Sequence, residues 1–417
     1  AQHVAAGTGC PIHGLRVHYG AQGEVAVEGN AVVGHVESCE KVRDVRRQDF
    51  GLHWKGVVPV WIIIIGLAAD TNSVYTGSLV RCFLSWSLRY ARRMEKKVFV
   101  THELPGEVIH QLSGLCDVNV WLGPGLLPAE GLREELAGCE GVVCLLTDHM
   151  DHALIESLPD LRFVSSMSVG VDHVDVAALT ARGIPLGHTP GVLVETTADT
   201  AFALLLAAAR RVSEADRFVR QGEWRRENRW SPDFFTGKDV AGATLGLIGL
   251  GAIAQAVARR AQAFGMRVVA WNRTAREVPG VSNLPLEAVL AESDFLSVHL
   301  ALTAETRGLL NAARIGSMKP GAVLVNTSRG GIVDEGALAA ALSSGRLYAA
   351  GIDVFAEEPV PVDNPLLYLP NVVLTPHIGS ATALTRARMA DIAANNAIAA
   401  LQGKPMPHCV NPEVYAR

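Results

Sequence analysis

The chain has 417 residues, 49% of them hydrophobic and 19% charged, and carries a net charge of −5. That length predicts two to three domains with a sizeable core, and the mild negative charge provides no basic surface for nucleic acid. Seven scattered cysteines with no C-x-x-C pair point to a reduced, cytoplasmic setting.

Residues 1–93 show poor periodicity, with scattered glycine and histidine. Their longest apolar run, Val57–Ala69, is centred on Trp61-Ile-Ile-Ile-Ile65. It is too short to span a bilayer, which takes about 20 residues, and lies too deep for a secretory signal. No membrane role is expected, and no fold is assigned to this segment.

From Met94 onward, strands and helices alternate. Strands are predicted at Val98–Thr101, Asp117–Trp121, Gly141–Thr147 and Arg162–Met167. Helices are predicted near Gly106–Ser113, Ala129–Ala137, Ala153–Leu158 and Val174–Arg182. Such alternation predicts a parallel sheet with helices on both faces. Within it, His149, His152 and His173 lie close to Asp148, Asp151 and Asp172. Their spacing matches no metal site, so a solvated turn is expected and no metal.

A long Ala/Leu helix over Thr196–Arg211 then breaks the rhythm; apolar almost all round, it should be buried at the entry to a second domain. Gly222–Lys238, rich in Trp, Arg and Asn, reads as a surface excursion, and a second alternating series runs from Thr244 to Thr375. The closing helix Ala381–Leu401 can pack back on the first domain. The expected division is 1–93 as an extension, 94–192 with 376–417 as one domain, and 193–375 as the other.

Gly249-Leu-Gly251-Ala252-Ile253-Ala254 follows an apolar strand and opens a helix, which is the setting of a dinucleotide fingerprint. Gly249 permits the tight turn, Gly251 lets the backbone approach a pyrophosphate, and Ala254 allows close helix–strand packing. The helix N-terminus faces the phosphates. The next strand, Met266–Trp271, ends in Asn272-Arg273-Thr274, where an NAD site usually places an acid. Arginine there suits a 2′-phosphate, so NADPH is expected over NADH. If Arg273 only stacks on the adenine, either cofactor would serve.

Three further segments end buried-looking strands: Asn326-Thr-Ser-Arg329-Gly, Asp353-Val-Phe-Ala-Glu-Glu358-Pro and Thr375-Pro-His377-Ile-Gly379-Ser. Ligands bind at the carboxyl ends of such strands. One rim therefore receives an anion clamp, a carboxylate and a proton donor, which suits carbonyl chemistry on a small acid. Glu357, beside Glu358, reads as the solvated neighbour.

Met318-Lys-Pro-Gly-Ala-Val-Leu-Val-Asn-Thr-Ser-Arg-Gly-Gly-Ile-Val-Asp334 resembles the longest signature of the D-isomer-specific 2-hydroxyacid dehydrogenases. Ser166-Met-Ser-Val-Gly170-Val-Asp172-His, Thr196-Thr-Ala-Asp199 and Pro376-His-Ile-Gly-Ser-Ala-Thr382 resemble others. The likeness covers about Lys96–Pro412 and is greatest to the glyoxylate/hydroxypyruvate reductases. It implies two doubly wound α/β parallel-sheet domains, a flavodoxin-like substrate domain and a Rossmann-like coenzyme domain, with a cleft between. It implies His377 as proton donor, Glu358 as its partner, Arg329 as substrate clamp, and the backbone of Val169 and Gly170 as carboxylate seat. Thr197 and Asp353 would approach the nicotinamide, Thr303 and Thr327 would line the cofactor, and His377 and Gly379 would border it.

The likeness also implies a homodimer and a small 2-oxo acid substrate. Ala252 replaces a commoner polar residue and Asp199 a commoner glutamate. Residues 1–93 have no counterpart, which suggests an upstream extension or a mis-chosen start. Two alternatives remain: a dehydrogenase for another 2-oxo acid, such as 2-ketogluconate or a phosphoglycerate relative, and a cofactor-sensing corepressor on the same fold.

Overall fold

The computed structural model describes residues 16–19, 25–28, 96–123, 125, 127–228 and 230–416. The apolar run Val57–Ala69 and the start at Met94 lie outside these residues. The chain divides into two compact units, Ala1–Phe83 and Leu84–Arg417. In the first, strands β1 (Arg16–Tyr19) and β2 (Val25–Glu28) pair antiparallel.

The larger unit contains two parallel sheets. The first has the order β4-β3-β5-β6-β7, from β3 (Lys97–Val100), β4 (Asp117–Val120), β5 (Gly141–Cys144), β6 (Phe163–Ser166) and β7 (Leu186–Gly187). Counted from its own first strand this is the flavodoxin-like order 2-1-3-4-5. The second has the order β10-β9-β8-β11-β12-β13-β14. Its strands are β8 (Thr244–Ile248), β9 (Arg267–Trp271), β10 (Val281–Asn283), β11 (Phe295–Val298), β12 (Ala322–Asn326), β13 (Leu347–Ile352) and β14 (Val372–Leu374). This is the Rossmann order 3-2-1-4-5-6 with one strand added.

Sequence explains these layers. The central strands β5, β6, β11 and β12 are buried at every residue, as expected where helices cover both faces of a parallel sheet. Three of the four strands predicted for the first sheet are shorter than their apolar runs suggested, and β3 keeps its length one residue earlier. β5, expected to reach Thr147, ends at Cys144, because the following residues turn so that Leu145 N–H bonds Asp148 Oδ2 at 2.7 Å.

The Ala/Leu helix spans Val194–Ala209, ending two residues earlier than its pattern. Arg211 takes a left-handed φ of 56°, and a separate exposed helix, Val212–Arg220, begins there. Ala198, Leu204, Leu205 and Ala208 bury against Leu245, Leu247, Val323 and Val325 of the second sheet. The helix Ala383–Leu401 lays Met389, Ala390, Ala393 and Ala397 against Val98 and Val100 of the first sheet and Leu112 of the helix Val108–Ser113. Ser165 Oγ donates to Ala393 O at 2.8 Å to fix its height. Among the described residues no helix is long and apolar enough to cross a membrane.

Candidate active site

The loops after β12, β13 and β14 lie side by side because those strands are neighbours in one sheet. Each loop is held by its own buried polar hub. Asn326, 1% exposed, accepts Ser328 N–H at 3.1 Å and donates to Arg329 O at 2.9 Å. Gly330 is pressed on the second loop: a Cβ there would lie 1.8 Å from the Phe355 carbonyl carbon. No other residue lets the Arg329 and Glu358 loops approach so closely.

Glu358 Oε1 accepts Phe355 N–H at 2.8 Å, and Oε2 lies 2.7 Å from His377 Nδ1. Burial works to raise the Glu358 carboxyl. The hydrogen bond and charge of His377, with Arg329 nearby, outweigh it and hold Glu358 below the usual range. Glu358 is thus an ionised partner at Nδ1, and among the described residues Nε2 of His377 has no hydrogen-bond partner. Glu357 is exposed, as its sequence position suggested. Glu335, which no motif marks, braces this loop by accepting Ala356 N–H and Asn364 Nδ2, both at 2.6 Å.

His377 has a positive φ of 52°, a costly conformation for a non-glycine residue. Fully buried Asp353 supports it. Asp353 Oδ1 accepts Thr375 Oγ1 at 2.6 Å and Ile378 N–H at 2.8 Å, and Oδ2 accepts Gly379 N–H at 2.9 Å. Burial pushes its carboxyl up in spite of these bonds. Thr197 Oγ1 donates to Gly379 O at 3.2 Å. The side chains of Thr197 and Asp353 are therefore spent on the shape of the histidine loop.

From the first sheet, the loop after β6 brings Val169 and Gly170. Among the described residues, neither of their N–H groups donates to a protein acceptor. The expectation of a solvated turn holds for His149, Asp151, His152 and Asp172, which are exposed, but not for His173 and Asp148, which are 8% and 6% exposed. Asp148 accepts Thr101 Oγ1 at 2.5 Å. Ser168 Oγ donates to Gly170 O at 2.7 Å, Ser166 and Ser168 hydroxyls are 2.7 Å apart, and Ser166 Oγ lies 2.9 Å from His173 Nε2. Because the last acceptor is a carbonyl, the donors must run His173 to Ser166 to Ser168 to Gly170. Burial lowers His173 to about 4, opposed by Asp172 and aided by Arg329, so a neutral ring heads this chain. Arg329 Nε lies 2.8 and 3.1 Å from the two Asp172 oxygens, so the arginine pairs with Asp172.

The dinucleotide fingerprint sits at the end of β8. Gly249 has φ +94°, and a Cβ would lie 2.5 Å from His299 O, so only glycine makes this turn. At Gly251 a Cβ would meet nothing within 4 Å, which leaves the backbone open at the start of helix Ala252–Ala263. Ile253 packs its side chain inward beside Ala254. Asn272 Oδ1 accepts Leu250 N–H at 3.1 Å, and its Nδ2 donates to Thr274 O at 2.6 Å. Arg273 and Thr274 are exposed beyond it. Thr303 is exposed and donates to Glu305 Oε2 at 2.6 Å. Thr327 is buried with its hydroxyl unpartnered. An open glycine backbone, a helix start and an orphaned hydroxyl at strand ends fit a bound dinucleotide.

Residues 202–379 match the family described as "D-isomer specific 2-hydroxyacid dehydrogenase, NAD binding domain". The glyoxylate reductase of Korarchaeum cryptofilum is 47% identical over 325 residues, 77% of this chain and 97% of the relative. The chain belongs to the D-isomer-specific 2-hydroxyacid dehydrogenases. A Thermus thermophilus protein of this fold superposes with a TM-score of 0.71 at 46% identity, covering 75% of this chain and 99% of that one. The NADPH-dependent glyoxylate/hydroxypyruvate reductase of Sinorhizobium meliloti, solved with NADP and malonate, gives 0.68 at 34% identity, covering 76% and 97%. As a 2-hydroxyacid dehydrogenase the protein is an oxidoreductase that uses a nicotinamide cofactor and a small 2-oxo acid.

Proposed function

We propose that this dehydrogenase reduces glyoxylate to glycolate and hydroxypyruvate to D-glycerate, with NADPH preferred and NADH accepted less well. The observation that carries this reading is the ion pair between His377 Nδ1 and Glu358 at 2.7 Å, beside the loop that delivers Arg329. The relatives named for glyoxylate and hydroxypyruvate reduction support the choice of substrate.

Each residue has a definite task. The N–H groups of Val169 and Gly170 and the guanidinium of Arg329 bind the substrate carboxylate, a pairing of planar, charge-assisted donors with an anion. Arg329 also faces the charge that develops on the carbonyl oxygen. His377 gives its Nε2 proton to that oxygen as general acid, while Glu358 stabilises the imidazolium. When bound, NADPH supplies the hydride. Gly249, Gly251, Ala252 and Ile253 would hold its pyrophosphate at the helix start. Asn272, Arg273 and Thr274 would take the ribose end, with Thr303, Thr327 and Gly379 lining the remainder. Arg273, with no acid at 272 or 274, supports recognition of a 2′-phosphate.

In this reading 94–192 with 376–417 form the substrate domain and 193–375 the coenzyme domain. The protein acts in the cytoplasm as a homodimer, a reading supported by exposed Tyr368 beside the edge strand β14. Assay of 2-oxo acids of increasing size with both cofactors tests the proposal. Highest kcat/KM is expected for glyoxylate and hydroxypyruvate with NADPH; a clear preference for a larger acid would overturn the substrate assignment.

A further inference from the structure

We propose that Asp172 is the positioning residue that makes Arg329 a directional clamp for the substrate carboxylate. The inference deepens the reading above and rests on it.

The guanidinium has five N–H groups, and the protein commits some of them. Nε faces both oxygens of Asp172 at 2.8 and 3.1 Å, and Nη1 donates to Ser328 O at 2.8 Å. Among the described residues, Nη2 has no protein acceptor. It is instead laid against Gly170, where a Cβ would come within 2.1 Å of it. The free end of the arginine thus points at the backbone whose own N–H groups are uncommitted. A carboxylate is the anion that Nη2 and two adjacent backbone donors would bind together.

Asp172 sets this direction because it holds Nε while Ser328 O holds Nη1. An arginine side chain has enough rotatable bonds to swing its head group widely; fixing Nε and Nη1 leaves Nη2 a single outlook. Asp172 is itself held to register by the hydrogen-bonded chain that His173 heads through Ser166 and Ser168 to Gly170 O. The two partners come from different sheets, Asp172 from the loop after β6 and Arg329 from the loop after β12. The clamp therefore needs both loops, and they meet in this structure. The side chains keep 23% and 30% of their exposure, and a pair so exposed adds little to folding. Its importance is orientation.

The test is a double-mutant cycle in the full chain, with glyoxylate and NADPH, on Asp172→Asn, Arg329→Ala and the double variant. Asp172→Asn is expected to lower kcat/KM by about tenfold to a hundredfold, through KM for glyoxylate, with KM for NADPH unchanged. Its melting temperature should stay within about 2 °C of wild type. In the Arg329→Ala background, removing Asp172 should cost less than about threefold, because its effect passes through the arginine. Losses that add in full, or an Asp172→Asn enzyme equal to wild type, would overturn the role of Asp172 alone. A wild-type chain inactive on every 2-oxo acid with either cofactor would overturn the functional reading and this role with it.

Discussion

The backbone N–H of His377 donates to the carbonyl of Asp353 over 2.9 Å, so the buried carboxylate and the histidine it supports are joined through main chain. Asp353 accepts three further bonds from residues 375–379, and these hold His377 at its positive φ. Asp353→Asn replaces one acceptor oxygen with a donor facing the N–H groups of this loop. We expect it to destabilise the fold by about 1–3 kcal/mol and to lower kcat by about a hundredfold through misplacement of the imidazole. Urea unfolding and steady-state kinetics measure the two effects separately.

Glu358→Gln keeps the shape of the side chain and removes its charge. The ionised carboxylate favours the imidazolium, so its loss should lower the reductive rate by about a hundredfold. Reduction of glyoxylate by Glu358→Gln at the wild-type rate would show that Glu358 does not assist His377.

Arg273→Ser removes the one cation next to Asn272 at the end of β9. KM for NADPH should rise about tenfold or more while KM for NADH changes little. Equal effects on both cofactors would mean that Arg273 stacks on the adenine and does not read the phosphate.

Burial lowers His173 to about 4, whereas an unfolded histidine titrates near 6.5. Between those values the unfolded chain takes up a proton that the folded one refuses. The contribution of His173 is thus fully present above about pH 6.5 and is lost as pH falls toward 4. The gap is worth up to about 3 kcal/mol. Wild type should lose more stability than His173→Asn between about pH 7 and about pH 5; parallel losses in denaturant titrations would place the acid sensitivity elsewhere.

The residues that chemistry requires at strand ends were the readable part of this sequence. Arg329, Glu358 and His377 each follow an apolar run, and parallel β12, β13 and β14 carry them to one rim. The glycine loop was readable for the same reason, since Gly249 needs a φ that other residues avoid. Asp172 and His173 were not, because a run of polar residues after a strand looks like a solvated turn. The burial of His173 and the pairing of Asp172 come from the neighbouring loops and from Ser166 and Ser168, whose hydroxyl directions no pattern encodes. Glu335 escaped notice likewise: it sits on the helix after Arg329, and only the fold carries it to the Glu358 loop. Strand ends were overestimated where apolar residues such as Leu145 continue past the last ladder bond into a turn.

If His377 protonates a 2-oxo acid held by Arg329, then His377→Asn, assayed for NADPH oxidation with glyoxylate alongside titration of NADPH binding, should lose at least about a hundredfold in kcat with NADPH binding retained. Glyoxylate turnover by His377→Asn at the wild-type rate would contradict it.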